Sequence, residues 1–148
     1  MSRAVIPNSH STSFAITEHT ADVGLVAWGP TPAASFVAAA QGMFAIGLGT
    51  YRQAGGEIGE KDVHVHAAEW PQLLVEWLVE LLGLFEVEGF LPQAFEVLEC
   101  QSTSFAARMQ GVRVSGPSAT MAIKAVTYHE LAVDVRRDRT EIRVIFDI

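Results

Sequence analysis

Two aspartates at opposite ends of this chain stand in otherwise apolar, strand-like runs. Asp22 lies in Glu18-His19-Thr20-Ala21-Asp22-Val23-Gly24 and Asp147 in Val144-Ile145-Phe146-Asp147-Ile148. An ionised carboxylate in such a setting needs a cation, a hydrogen-bond donor or water, because burying it without one is costly. If the fold brings the two together, they and the chain-end carboxylate of Ile148 make a hard-oxygen cluster of the kind that takes Ca²⁺ or Mg²⁺. The bland alternative is two unrelated strand-end residues. With more than a hundred residues between them, spacing leaves both readings open.

Other residues offer chemistry of lower specificity. Lys124 sits in the alternating run Met121-Ala122-Ile123-Lys124-Ala125-Val126-Thr127-Tyr128, where a lysine either snorkels to solvent from an outer face or pairs with a carboxylate such as Asp22 or Asp147. His19, close to Asp22, and His129, between Tyr128 and Glu130, are candidate acid–base groups or supports behind the carboxylates. His64 and His66, two apart, share one strand face; as a zinc pair they lack a third nearby ligand, and a solvent-facing side is the simpler reading. The single cysteine, Cys100, rules out an intramolecular disulfide and a thiolate cluster, fits a reducing cytosol, and reads as a small core residue. No serine or cysteine nucleophile with a supporting base, no phosphate-binding glycine loop and no H-E-x-x-H run is present.

The elements that must position these groups are legible from periodicity. Ser13–Thr17 and Val23–Trp28 read as strands joined through the His19–Asp22 segment. Thr31 is an N-cap with Pro32 just inside the helix, and Phe36, Ala39, Ala40, Met43 and Phe44 form its buried stripe, ended by Gly47 and Gly49. Residues Gln53–Asp62 read as a loop and Val63–Ala67 as a half-buried strand. A second helix starts at Trp70-Pro71 and carries Leu73, Leu74, Trp77, Leu78, Leu81, Leu82 and Phe85 on a wide apolar face. Beyond it the period becomes two, giving strands near Ala94–Ser102, Ser104–Gln110, Thr120–Tyr128, Leu131–Val135 and Glu141–Asp147. Gly111–Ser118 and Arg136–Arg139 read as turns, the latter as a solvated hairpin tip.

This order, ββαβα followed by strands, predicts an α+β two-layer sandwich, with two helices packed on one face of a mixed, mostly antiparallel sheet. At 148 residues, with 49% hydrophobic and 18% charged residues, a single domain over residues 13–148 is expected, preceded by a flexible tail over residues 1–12. The net charge of −7 disfavours a large nucleic-acid footprint, which would need clustered Lys and Arg. No apolar stretch is long enough to span a membrane, and the first dozen residues lack the apolar segment of a signal peptide.

Three motifs in order, His19-Thr20-Ala21-Asp22-Val23-Gly24, Lys124-Ala125-Val126-Thr127-Tyr128-His129 and Val144-Ile145-Phe146-Asp147-Ile148, resemble the archease family over residues 13–148. The resemblance implies a cytoplasmic, non-catalytic partner of an RtcB-type RNA ligase, which acts in tRNA splicing and RNA repair. Such a partner promotes the ligase's guanylylation and its multiple turnover, and meets RNA only indirectly. It also implies that Asp22, Asp147 and the Ile148 chain end match metal-binding positions, seen with calcium, with Mg²⁺ and Mn²⁺ as alternatives, and that Lys124 matches a lysine needed for activation. Glu130 departs from the aspartate that many members carry after the Tyr-His pair, and Gln110–Thr120 is short, with Arg113 its one charged residue, where relatives often carry a longer charged loop. Two readings from other classes stand beside it: a metal-dependent phosphoester hydrolase using Asp22, Asp147 and His19, and a general chaperone-like binding module.

Overall fold

A computed structural model describes residues 12–18, 22–49, 56–114 and 120–148. The expected tail, apart from Thr12, together with His19 and residues 115–118 of the expected 111–118 turn, lies outside the described residues, while Gly111–Arg113 of that turn belong to a strand. The elements run β1 (Ser13–Glu18), β2 (Asp22–Gly29), α1 (Pro32–Leu48), β3 (Glu57–His66), α2 (Trp70–Glu88), β4 (Phe90–Gln101), β5 (Ser104–Arg113), β6 (Ala125–Val135) and β7 (Thr140–Asp147). The α+β class holds. The strands are divided over two sheets, β1-β2-β7-β6 and β3-β5-β4, and every ladder recorded is antiparallel. The chain correspondingly forms two units, one from both ends (through Gly47 and from Ala122 onward) and one from the middle, Leu48–Met121.

In the first unit the central strands β2 and β7 turn one set of residues to a fully buried face, and β2 is buried on both faces from Gly24 to Gly29. Leu25 and Ala27 on β2 and Thr140, Ile142, Val144 and Phe146 on β7 are all at 0% exposure. The pairings Leu25↔Val144 and Ala27↔Ile142 place them on one face. Helix α1 covers that face. Its start is the expected one: Ala34 N–H donates to Thr31 Oγ1 at 3.1 Å, satisfying one of the helix's orphan donors. Phe36, Ala39, Ala40 and Met43 are fully buried along its stripe. At Gly42 a Cβ would come within 2.6 Å of Leu25 Cδ1, so a glycine here allows close helix–sheet approach.

In the second unit α2 packs over β3, β4 and β5 through Leu73, Leu74, Trp77, Leu78 and Leu81, all 0–1% exposed. Trp77 meets Phe105 edge-on at 4.7 Å, and burying each such large apolar side chain contributes about 1.5–3 kcal/mol. The helix ends at Gly89 (φ 70), whose N–H reaches the Leu84 and Phe85 carbonyls, a left-handed cap that satisfies terminal acceptors. Neither described helix is long and apolar enough to cross a membrane.

Pairing, more than composition, sets the strand limits. β3 begins at Glu57, inside the stretch expected to be a loop, because Glu57–Asp62 pair with Arg113–Arg108 of β5. There Arg108 donates to both carboxylate oxygens of Asp62, at 3.0 and 3.2 Å. β4 starts at Phe90 and accommodates Pro92 through a register shift, as a proline on an edge strand requires. The two expected strands at Thr120–Tyr128 and Leu131–Val135 are one strand, β6, which starts at Ala125 and contains a bulge.

Candidate functional site

The β2–β7 ladder brings the two chain ends into register. Asp22 and Asp147 are direct Cα partners at one end of it, and Ala125 of β6 pairs with Asp147 from the other side. Residues directly opposite on antiparallel strands project to the same face with Cβ atoms about 4.5–5.5 Å apart. The two carboxylates and the small Ala125 methyl therefore form one row across three strands. Asp147 is exposed and Asp22 half-buried, with Asp22 Oδ1 closed off from solvent.

This row lies on the face opposite α1. Gly24↔Ile145, Val26↔Arg143 and Trp28↔Glu141 continue it along β2 and β7, and a small apolar cluster of Ala15, Val26 and Trp28 seals the far part. Arg139 from the hairpin tip stacks over the Trp28 ring at 5.5 Å.

Gly24 of the first motif has a steric reason. It pairs with Thr17 of β1, and a Cβ at Gly24 would overlap Thr17 Oγ1. The buried Thr17 side chain thus lies across the bare glycine backbone and closes the sheet immediately behind Asp22.

Lys124 reaches the row through its main chain: its N–H donates to the Asp147 carbonyl at 2.7 Å, while its side chain is exposed. It stands just ahead of β6 and not in the middle of a strand, because the ladder to β7 begins at Ala125. Ile148, 42% exposed, follows Asp147 at the same sheet end. His129 lies on the β6 bulge, with Nε2 3.5 Å from Glu130 Oε2. The structure thus brings Asp22, Asp147 and Lys124 together and sets His129 in the bulge beyond the Thr127↔Ile145 pair; His19 is outside the described residues.

The donor set fits an oxygen-loving cation. Among the described residues no group of three or more His, Cys, Asp and Glu side chains converges as a metal site. Two carboxylates would hold the ion, and main-chain oxygens and water would complete its shell. That is a composition Ca²⁺, Mg²⁺ or Mn²⁺ accepts and structural zinc does not.

The histidines of the second unit have a structural explanation. His64 Nε2 lies 3.0 Å from Ser104 Oγ and 3.2 Å from Glu99 Oε1, and Ser104 Oγ donates to Glu99 at 2.7 Å. Serine and carboxylate share one ring nitrogen, so this is a closed hydrogen-bond triangle and not a relay that activates a nucleophile. His66 packs on His64 at 4.3 Å between ring centroids. Cys100 is half-buried, and burial pushes its thiol up to about 11.

Two contributors escaped the sequence reading: Thr17, which covers Gly24, and Thr127, whose hydroxyl donates to the Ile145 carbonyl at 2.8 Å and accepts the His129 N–H at 3.3 Å. No local pattern marks either one.

The model of the archease protein family (MTH1598/TM1083) matches residues 14–148. A protein archease of Methanosarcina mazei is 33% identical over 147 residues, covering 95% of this chain and 99% of its own length. One from Saccharolobus islandicus is 28% identical, covering 92% and 99%. The solution structure of Methanobacterium thermoautotrophicum protein 1598 superposes with a TM-score of 0.69 at 25% identity, covering 93% of this chain and 99% of that one. The crystal structure of a Thermotoga maritima archease, described as a possible chaperone, shares the fold with a TM-score of 0.58 at 20% identity, covering 88% and 94%.

Proposed function

The chain belongs to the archease family, and from that membership we propose that it activates an RtcB-type RNA ligase without being an enzyme itself. The observation that carries the reading is the direct register of Asp22 with Asp147, with Lys124 N–H on the Asp147 carbonyl. Three motifs that are far apart in sequence meet at one sheet end. Such a tip, carrying two carboxylates and an adjacent lysine, is suited to enter a metal- and nucleotide-binding cleft of a partner.

Asp22 and Asp147, with main-chain oxygens at Ile148, would hold a divalent cation, Ca²⁺ in the first instance and Mg²⁺ or Mn²⁺ as alternatives. When bound, the ion neutralises the carboxylate pair and offers a Lewis-acidic positive centre. The chain's own groups do the positioning. The β2–β7 ladder fixes the two carboxylates on one face, Thr17 and Gly24 set the backbone behind Asp22, and Lys124 ties the start of β6 to Asp147. The exposed Lys124 ammonium presents a cation for nucleotide phosphate. RNA is reached only through the ligase, since a chain with net charge −7 repels a polyphosphate backbone.

The test adds this protein to the ligase of the same organism with GTP and measures guanylylated ligase. Asp22→Ala and Asp147→Ala are expected to abolish the stimulation while circular dichroism stays native. Unimpaired stimulation by both variants would refute the reading. Turnover of a phosphate ester by the isolated protein, lost in the same variants, would replace it with a hydrolase.

A further inference from the structure

Strand β6 departs from β7 close to the carboxylate row. Thr127 pairs with Ile145 and Ala132 with Arg143, so the four residues Tyr128–Leu131 stand against the single Val144, three more than a regular ladder holds. β6 is an edge strand of its sheet, which leaves one side of the bulge unpaired by any strand of that sheet. Within it Tyr128 is 64% exposed, the His129 side chain 71% exposed, and Glu130 has a φ of 52, the one positive φ outside glycine among the described residues. A left-handed glutamate brings its Cβ against the following carbonyl oxygen, so the surroundings must hold this shape against local preference.

Thr127 does the holding. Its one hydroxyl hydrogen goes to the Ile145 carbonyl, and its oxygen accepts the His129 N–H. One side chain thereby ties the take-off of the bulge to the central strand that carries Asp147, two residues further along β7.

We propose that the Tyr128–Leu131 bulge is a preshaped contact element that docks on the partner ligase beside the Asp22–Asp147 row, with Tyr128 and His129 as contacting side chains and Thr127 as the positioning residue. The inference rests on the reading of this protein as a ligase activator and adds a second, separate contact to it. Bulges re-aim side chains next to functional sites, and strain that the surroundings maintain concentrates there. Exposed tyrosine supplies large contact area at low entropic cost, and a contact loop already fixed before binding spares the ordering penalty. With Glu130 within it, Asp147 two residues along β7 from the partner of Thr127, and Arg143 across from Ala132 at its far end, the bulge offers its acidic near side to a cationic wall, on which the Tyr128 ring stacks against arginine or lysine. The kinked edge also discourages pairing with a second copy of this chain.

The experiment measures binding of the ligase to wild type, Tyr128→Ala, His129→Ala, Thr127→Val and Thr127→Ser, with Asp147→Ala as a reference and guanylylation as a second readout. Tyr128→Ala and Thr127→Val are expected to bind about tenfold more weakly or worse, with melting of Tyr128→Ala and His129→Ala unchanged because both side chains are exposed. Thr127→Ser restores the hydroxyl and returns affinity to near wild type. Wild-type affinity in Tyr128→Ala, His129→Ala and Thr127→Val, while Asp147→Ala loses stimulation, overturns this inference and leaves the activator reading standing. A wild-type protein that neither binds nor stimulates the ligase overturns both.

Discussion

Replacing Asp147 by asparagine should stabilise this protein in the absence of divalent metal. Asp22 and Asp147 are direct cross-strand partners, and like charges directly opposite are destabilising. With carboxylates about 6 Å apart and an effective dielectric of roughly 40–80 at this partly exposed site, the repulsion is about 1 kcal/mol. In a chain of 148 residues that corresponds to a melting temperature about 3 °C higher for the variant. The assay is thermal unfolding of wild type and Asp147→Asn in EDTA, in millimolar CaCl₂, and in EDTA with ~1 M NaCl. In EDTA the variant melts higher. Calcium raises wild type by mass action and leaves the variant, which has lost half of the carboxylate pair, with a much smaller increment. High salt, with a Debye length of about 3 Å, closes the gap between the two proteins in EDTA. A variant that melts lower than wild type in EDTA would show that Asp147 is held by stabilising contacts and not opposed by Asp22. Equal calcium increments in both would show that the pair is not the cation site.

Further outcomes test the supports around the site. Gly24→Ala drives a methyl into Thr17 Oγ1 and is expected to cost about 1–3 kcal/mol, read by urea unfolding; pairing it with Thr17→Ala should recover part of the loss. Glu130→Gly removes the left-handed strain at φ 52 and should raise stability by about 1 kcal/mol in the same assay. Cys100, with its thiol pushed up to about 11 by burial, should be alkylated at pH 8 roughly a hundredfold more slowly than a free thiol. Because burial raises the pKa, the fold favours the neutral thiol, and the protection fades only as pH climbs through the folded value. Mass-spectrometric labelling across pH 7–11 checks this, and rapid labelling at pH 8 in the native protein would contradict it.

The sequence by itself determined the helices and the roster of chemistry-bearing residues. Thr31 capping, Pro32 and the stripe through Phe36, Ala40 and Met43 are local signals, and they appear in the structure as read, with Ala34 N–H on Thr31 Oγ1. The wide apolar face from Leu73 to Phe85 likewise settled α2. Alternation located most strands but misjudged their ends. Pairing extends β3 back into the charged stretch from Glu57, and β6 runs through a bulge at a place where the hydrophobic pattern shows only a break.

Only the tertiary structure decided that Asp22 faces Asp147. Register across strands more than a hundred residues apart is set by the buried sets Leu25, Ala27, Ile142, Val144 and Phe146, which must all turn toward α1 together. A one-residue slip would send every one of them to the opposite face, so the core fixes the carboxylates as a by-product of its own packing. The roles of Thr17 and Thr127 belong to the same category. Each hydroxyl finds its place through a neighbour supplied by another strand, and no spacing along the chain encodes that neighbour.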